Sequence, residues 1–158
     1  MQVRLDRSFH VQELEVRFRP GRKPPEPTRI TSPNIAFELL RQHYADQPRE
    51  QLICLSLNNQ NQVIGLEIVS QGTADAAHSS TREVFKAPII INATAVILVH
   101  NHPGGSVEPS LDDRRTAQRL REAGDIFEIR VLDFMILTTS SFYSFAASEP
   151  DWQSNKGG

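Results

Sequence analysis

The chain has 158 residues, 17 Lys and Arg against 19 Asp and Glu for a net charge of −2, five histidines and one cysteine. That length supports a single domain that needs no disulfide or structural metal to fold, and a lone thiol, Cys54, excludes both a disulfide framework and an all-thiolate zinc site. The near-neutral charge gives no overall pull toward nucleic acid or membrane, no apolar run nears the roughly 20 residues of a membrane span, and residues 1–10 lack a signal-peptide core, so a cytoplasmic protein is expected.

Residues 1–29 carry seven basic and four acidic side chains and are the basic part of the chain. Within them Leu14, Val16 and Phe18 alternate with Glu13, Glu15, Arg17 and Arg19, the period of a half-buried strand. As an edge it could pair within its own chain or build a homodimer with a neighbour. Pro20-Gly21 and the prolines at 24, 25 and 27 continue no regular element, so residues 1–30 read as an arm and Pro-rich linker before a main domain over 31–148.

Ser32 with Pro33 opens a first helix, and Ile35, Leu39, Leu40 and Tyr44 carry it to about residue 46. Leu52, Cys54 and Ser56 on one face and Ile53, Leu55 and Leu57 on the other predict a strand covered on both sides. Val63 to Val69 is its hairpin partner across the Asn58–Asn61 turn. Ser80 or Thr81 starts a second helix through Ile91, with Pro88 expected to kink or shorten it. Ala95 to Val99 is a buried strand that ends at His100-Asn101-His102-Pro103-Gly104-Gly105. Ser110 opens a third helix expected to stop at Gly124, and Ile129 to Leu137 is a further strand. Residues 149–158, with their Lys156-Gly157-Gly158 end, read as a frayed tail. There is no internal repeat. The expected fold is a single α/β domain, a mixed β-sheet with helices on both faces.

His100 and His102 lie two apart at a strand end, so both imidazoles leave on one face. On the third helix Asp113 shares a stripe with Ala117, Leu120 and Gly124 and therefore points inward. A carboxylate aimed at the interior needs a pair, hydrogen bonds or a metal, because burying it alone costs several kcal/mol. Two imidazoles and this carboxylate make three protein ligands and leave a fourth zinc position for water. Simpler readings stand beside this one. Ser110 and Asp113 also fit a helix cap with a carboxylate at the positive end of the dipole, and the histidines could bond to loop backbone.

His100-Asn101-His102-Pro103-Gly104-Gly105 followed by Pro109-Ser110-Leu111-Asp112-Asp113 resembles the JAMM metalloprotease motif, H-x-H then S-x-x-D. With Arg82-Glu83-Val84-Phe85-Lys86 and Arg130-Val131-Leu132-Asp133, the chain looks like the RadC-like branch of the JAB/MPN superfamily from about residue 50 to 145. The resemblance does not cover residues 1–30, and the helix-hairpin-helix region of longer RadC proteins is not found there. It implies a three-layer α/β domain with one zinc per chain on His100, His102 and Asp113. Ser110 would orient the water or stabilise the oxyanion, and Glu50, just before the first core strand, would be the general base. Without the resemblance Glu50 reads as a solvated residue. Glu83 is its nearest rival, but a helix start suits it to capping or an ion pair. The sequence departs from relatives at Ser80-Thr81, where they commonly carry His-Pro. The implied activity is hydrolysis of an amide or isopeptide bond in a protein or peptide.

Arg114, Arg115, Arg119 and Arg121 on the third helix raise a second possibility, a DNA-processing or DNA-binding factor, in line with the family's link to DNA repair. The competing view is a solvated face balanced by Asp112, Glu122 and Asp125. A third hypothesis, an interaction module without turnover, has no use for an open metal position. Cys54 reads as a core residue.

Overall fold

The computed structural model describes residues 26–72 and 80–152, apart from the side chains at 42 and 43. The strand expected over 13–19, any dimer built on it, and residues 153–158 lie outside those residues.

The first helix, α1, spans Pro33–Leu40 with Ser32 at its N-cap, although the serine hydroxyl makes no capping bond. The chain stays helical beyond Leu40, as expected, but passes into a π-helical turn over Arg41–Ala45. Strand β1 (Gln51–Leu57) is buried at all seven residues, which is why it is apolar on both faces. It pairs antiparallel with β2 (Val63–Gln71). Asn58 builds the turn between them by accepting the backbone N–H of Gln60 and of Gln62, each at 2.9 Å. Asn61 closes that turn in the left-handed region (φ 57°), which asparagine adopts more readily than most residues.

Helix α2 (Thr81–Ile90) is capped by the Ser80 hydroxyl, which accepts from the Glu83 N–H, and it runs through Pro88. Strand β3 (Ala95–Asn101) lies between β1, antiparallel, and β4 (Arg130–Leu137), parallel. Helix α3 (Leu111–Ile126) makes the crossover between them. The sheet order is β2-β1-β3-β4-β5, with β5 at Phe142–Ser144.

Two cores form on opposite faces of this sheet. Ile53, Leu55, Ile97, Val99 and Met135 pack with Ala36, Phe37 and Leu40 of α1. Leu52, Cys54, Val96, Leu98 and Ile136 pack with Val84 and Phe85 of α2 and Ala117 and Leu120 of α3. The expected mixed sheet with helices on both faces is thus the architecture found. Among the described residues no helix is long and apolar enough to cross a membrane.

Two expectations need correcting. Gly124 does not end α3, which continues to Ile126. A Cβ at this position would sit 2.5 Å from the Ile129 carbonyl oxygen and 2.8 Å from Val131 Cγ2, so the glycine serves close helix-to-strand approach. Residues 149–152 are packed, not frayed. After β5 the chain forms a short helix α4 (Phe145–Ser148) and a 3₁₀ turn, Pro150–Trp152. Trp152 is 7% exposed, and its indole N–H donates to the Leu132 carbonyl at 3.1 Å. One aromatic ring anchors a stretch that is polar on average.

Candidate metal centre

The register of β1 against β3 assembles the site. Leu52 is paired with His100, and paired residues share a face of the sheet. Alternation then brings Glu50, two residues before Leu52, to the same face as His100 and His102. The Glu50 carboxylate lies 3.7 Å from His100 Nε2 and is 38% exposed, at the open side of the site.

The two imidazole rings stand edge to face, 4.8 Å between centroids. His102 Nδ1 is 2.8 Å from the Ser106 carbonyl oxygen, which can only accept. The proton of the neutral ring therefore belongs on Nδ1, and Nε2 keeps a bare lone pair. His100 Nδ1 faces Asp113 Oδ1 at 2.8 Å in the same way. Its Nε2 is buried and has no hydrogen-bond partner. The Pro103–Gly105 turn makes this possible: Gly105, at φ 81°, donates its N–H to the His102 carbonyl and returns the chain toward Ser106.

Asp113 arrives from the first turn of α3. The Ser110 hydroxyl accepts the Asp113 N–H at 3.0 Å and donates to Asp113 Oδ2 at 2.6 Å, and the Ser110 N–H reaches the same oxygen at 2.8 Å. The helix-cap reading of this pair is realised in full, and that cap is also what aims the carboxylate at the histidines. His102 Nε2 is 3.5 Å from Asp113 Oδ2.

Burial works against the Asp113 carboxylate, but hydrogen bonds from His100 and Ser110 and the adjacent His102 imidazole outweigh it and hold the carboxyl well below the usual range. Asp113 in turn raises His102 against the opposing effect of burial. An anionic oxygen and two imidazole nitrogens, one ligand atom from each residue, lie within 4.8 Å of one another. Together with the unpartnered Nε2 of His100 this donor set fits a divalent metal such as zinc. Sequence reasoning missed Ser106, whose contribution is a backbone carbonyl that no side-chain pattern reveals. It also missed Asn101, whose side-chain amide bonds the backbone on either side of Glu50.

The remaining candidates fall elsewhere. Glu83 is exposed and pairs with Lys86 at 2.7 Å, which lowers its carboxyl, so it does what a helix-start glutamate was expected to do. On α3, Arg114 pairs with Glu149 and stands over the Phe145 ring, and Arg115 pairs with Asp112 at 3.3 Å. Arg121 donates to the Asp151 and Trp152 carbonyls and covers the Trp152 ring. Cys54 is fully enclosed, and burial pushes its thiol up to about 12, beyond reach of metal or oxidant chemistry at neutral pH.

A mixed sheet with helices on both faces, whose central strand ends in H-x-H opposite an S-x-x-D helix start, defines a JAB-type domain. The RadC-like JAB domain family matches residues 30–150, and the chain belongs to that family. Similar relatives include a UPF0758 protein of Pelodictyon phaeoclathratiforme, 40% identical over 120 residues, which is 76% of this chain and 54% of the relative. A UPF0758 protein of Vibrio cholerae serotype O1 is 46% identical over 117 residues, 74% of this chain and 52% of the relative. The chain spans about half the length of the curated relatives it matches, and their names state no activity.

Proposed function

We propose that the protein is a zinc-dependent hydrolase that cleaves an amide or isopeptide bond in a protein or peptide, with one zinc per chain on His100, His102 and Asp113. The observation that carries the reading is the convergence of one donor atom from each of His100, His102 and Asp113 within 4.8 Å, with the Glu50 carboxylate 3.7 Å from His100 Nε2. When bound, zinc supplies Lewis acidity, which eases deprotonation of a water near neutral pH and polarises the scissile carbonyl. Glu50 takes the water's proton and returns it to the leaving amine; its exposed position lets it meet a substrate from solvent. Ser110 fixes Asp113 with its one hydroxyl proton, which would have to turn from Asp113 Oδ2 to support the developing oxyanion. His102 is locked in its ligating tautomer by Ser106. We prefer this reading to a DNA-processing role because on α3 Arg114, Arg115 and Arg121 are engaged by acidic groups, backbone carbonyls and aromatic rings.

Elemental analysis of the purified protein and of His102→Ala tests the centre. Zinc near one per chain in the native protein and its loss in the variant are expected. A native protein without zinc would overturn the reading.

A further inference from the structure

We propose that Asn101, the residue between the two histidines, positions Glu50; this rests on the reading of Glu50 as the base. Asn101 is fully buried, and alternation along β3 sends its side chain to the face opposite His100 and His102. It is therefore no ligand. Its backbone is paired with Leu137 of β4, while the regular β1–β3 pairing ends one step earlier, at Leu52 and His100. The side-chain amide carries the contact with β1 one step further. Asn101 Oδ1 accepts the Gln51 N–H at 2.6 Å, and Nδ2 donates to the Arg49 carbonyl at 3.1 Å. The Gly72 N–H holds the Glu50 carbonyl at 2.9 Å.

The peptide groups on both sides of Glu50 are thereby pinned, and its backbone dihedrals with them. Only rotation about its side-chain bonds is left to the carboxylate. Glu50 lies just ahead of β1, held by β2 on one side, and the clamp replaces the ladder bonds that β3 does not supply on the other. An asparagine suits this task because one planar amide offers an acceptor and a donor side by side, as a peptide group does. Aspartate keeps only the acceptor, and alanine keeps neither.

Two measurements on the full chain decide the matter. Amide hydrogen exchange at Gln51 should be about tenfold faster in Asn101→Ala than in the native protein. Co2+ in place of zinc then reports on Glu50 through its visible absorption. Asn101→Ala should keep one Co2+ per chain and shift the bands in the direction of Glu50→Gln, and the double variant should go no further than Glu50→Gln alone. Should Asn101→Ala not fold, Asn101→Leu replaces it: the side chain fills the same space without a donor or acceptor, so Gln51 exchanges faster and the bands still shift. Native-like bands in the Asn101 variants, beside shifted bands in Glu50→Gln, would overturn the positioning role and leave the base assignment standing. Unchanged bands in Glu50→Gln would instead remove Glu50 from the site and this proposal with it.

Discussion

Asp113 and Asp133 are equally buried, each 4% exposed, and each accepts a serine hydroxyl and a backbone N–H: Ser110 for the first, Ser144 and Ala146 for the second. Their chemistry is opposite. Burial pushes the Asp133 carboxyl up to about 6, and its hydrogen bonds only soften the rise. At Asp113 burial acts in the same direction, but His100 and His102 stand beside the carboxylate and the net shift is far downward. At Asp133 hydroxyl and amide donors do not make up for the lost water, whereas at Asp113 hydrogen bonding from the flanking imidazoles is added to that of Ser110 and does. Asp133, a support for β5 and α4, therefore keeps its proton up to about pH 6, where an ordinary aspartate has already lost it. Asp113 calls for a cation, which is what a metal ligand must do.

The largest expected effect comes from exchanging each carboxylate for its amide. Asp113→Asn should weaken zinc binding more than about 100-fold, beyond the usual cost of losing a supporting residue around a metal, while Asp133→Asn leaves it unchanged; competition with a chromogenic chelator measures both. Equal affinity in the two variants would break the distinction. Stability against pH gives the reverse pattern. Because the folded chain holds the Asp133 proton up to about pH 6 and the unfolded chain releases it near 3.8, stability falls as pH rises through that window. The fall amounts to about 3 kcal/mol above pH 6. Urea unfolding should show Asp133→Asn lacking this decline, and the same slope in the variant would refute the assignment. The smallest change is expected from Ser144→Ala. Loss of its hydroxyl donor moves the decline to higher pH and removes about 1 kcal/mol at pH 8, with zinc affinity intact.

The parts of the fold that announce themselves in the sequence are those whose burial is periodic. β1 and β3 are apolar throughout, and α3 carries Ala117 and Leu120 on its inward stripe. β5 and α4 have three and four residues and are secured by Asp133 and Trp152 across the chain, so no local pattern marks them. Gly124 misleads because a glycine that permits contact looks like one that ends a helix. In the site, His100, His102 and Asp113 are legible because strand and helix periods alone place them on facing surfaces. Glu50 is not: its position depends on the pairing of Leu52 with His100, and only the family resemblance singled it out. The same register hides the role of Asn101.

Gly124 has one more consequence. α3 is held at its start by the Ser110 and Asp113 cap and three turns later, about 16 Å along the axis, by the Ile129 N–H, which donates to the Gly124 carbonyl at 2.9 Å. A rod fastened at both ends cannot slide or tilt, so the height of Asp113 above the sheet is set partly from the far end of the helix. A methyl group at position 124 would act as a wedge under that end, and its displacement would be felt at the histidines without touching them.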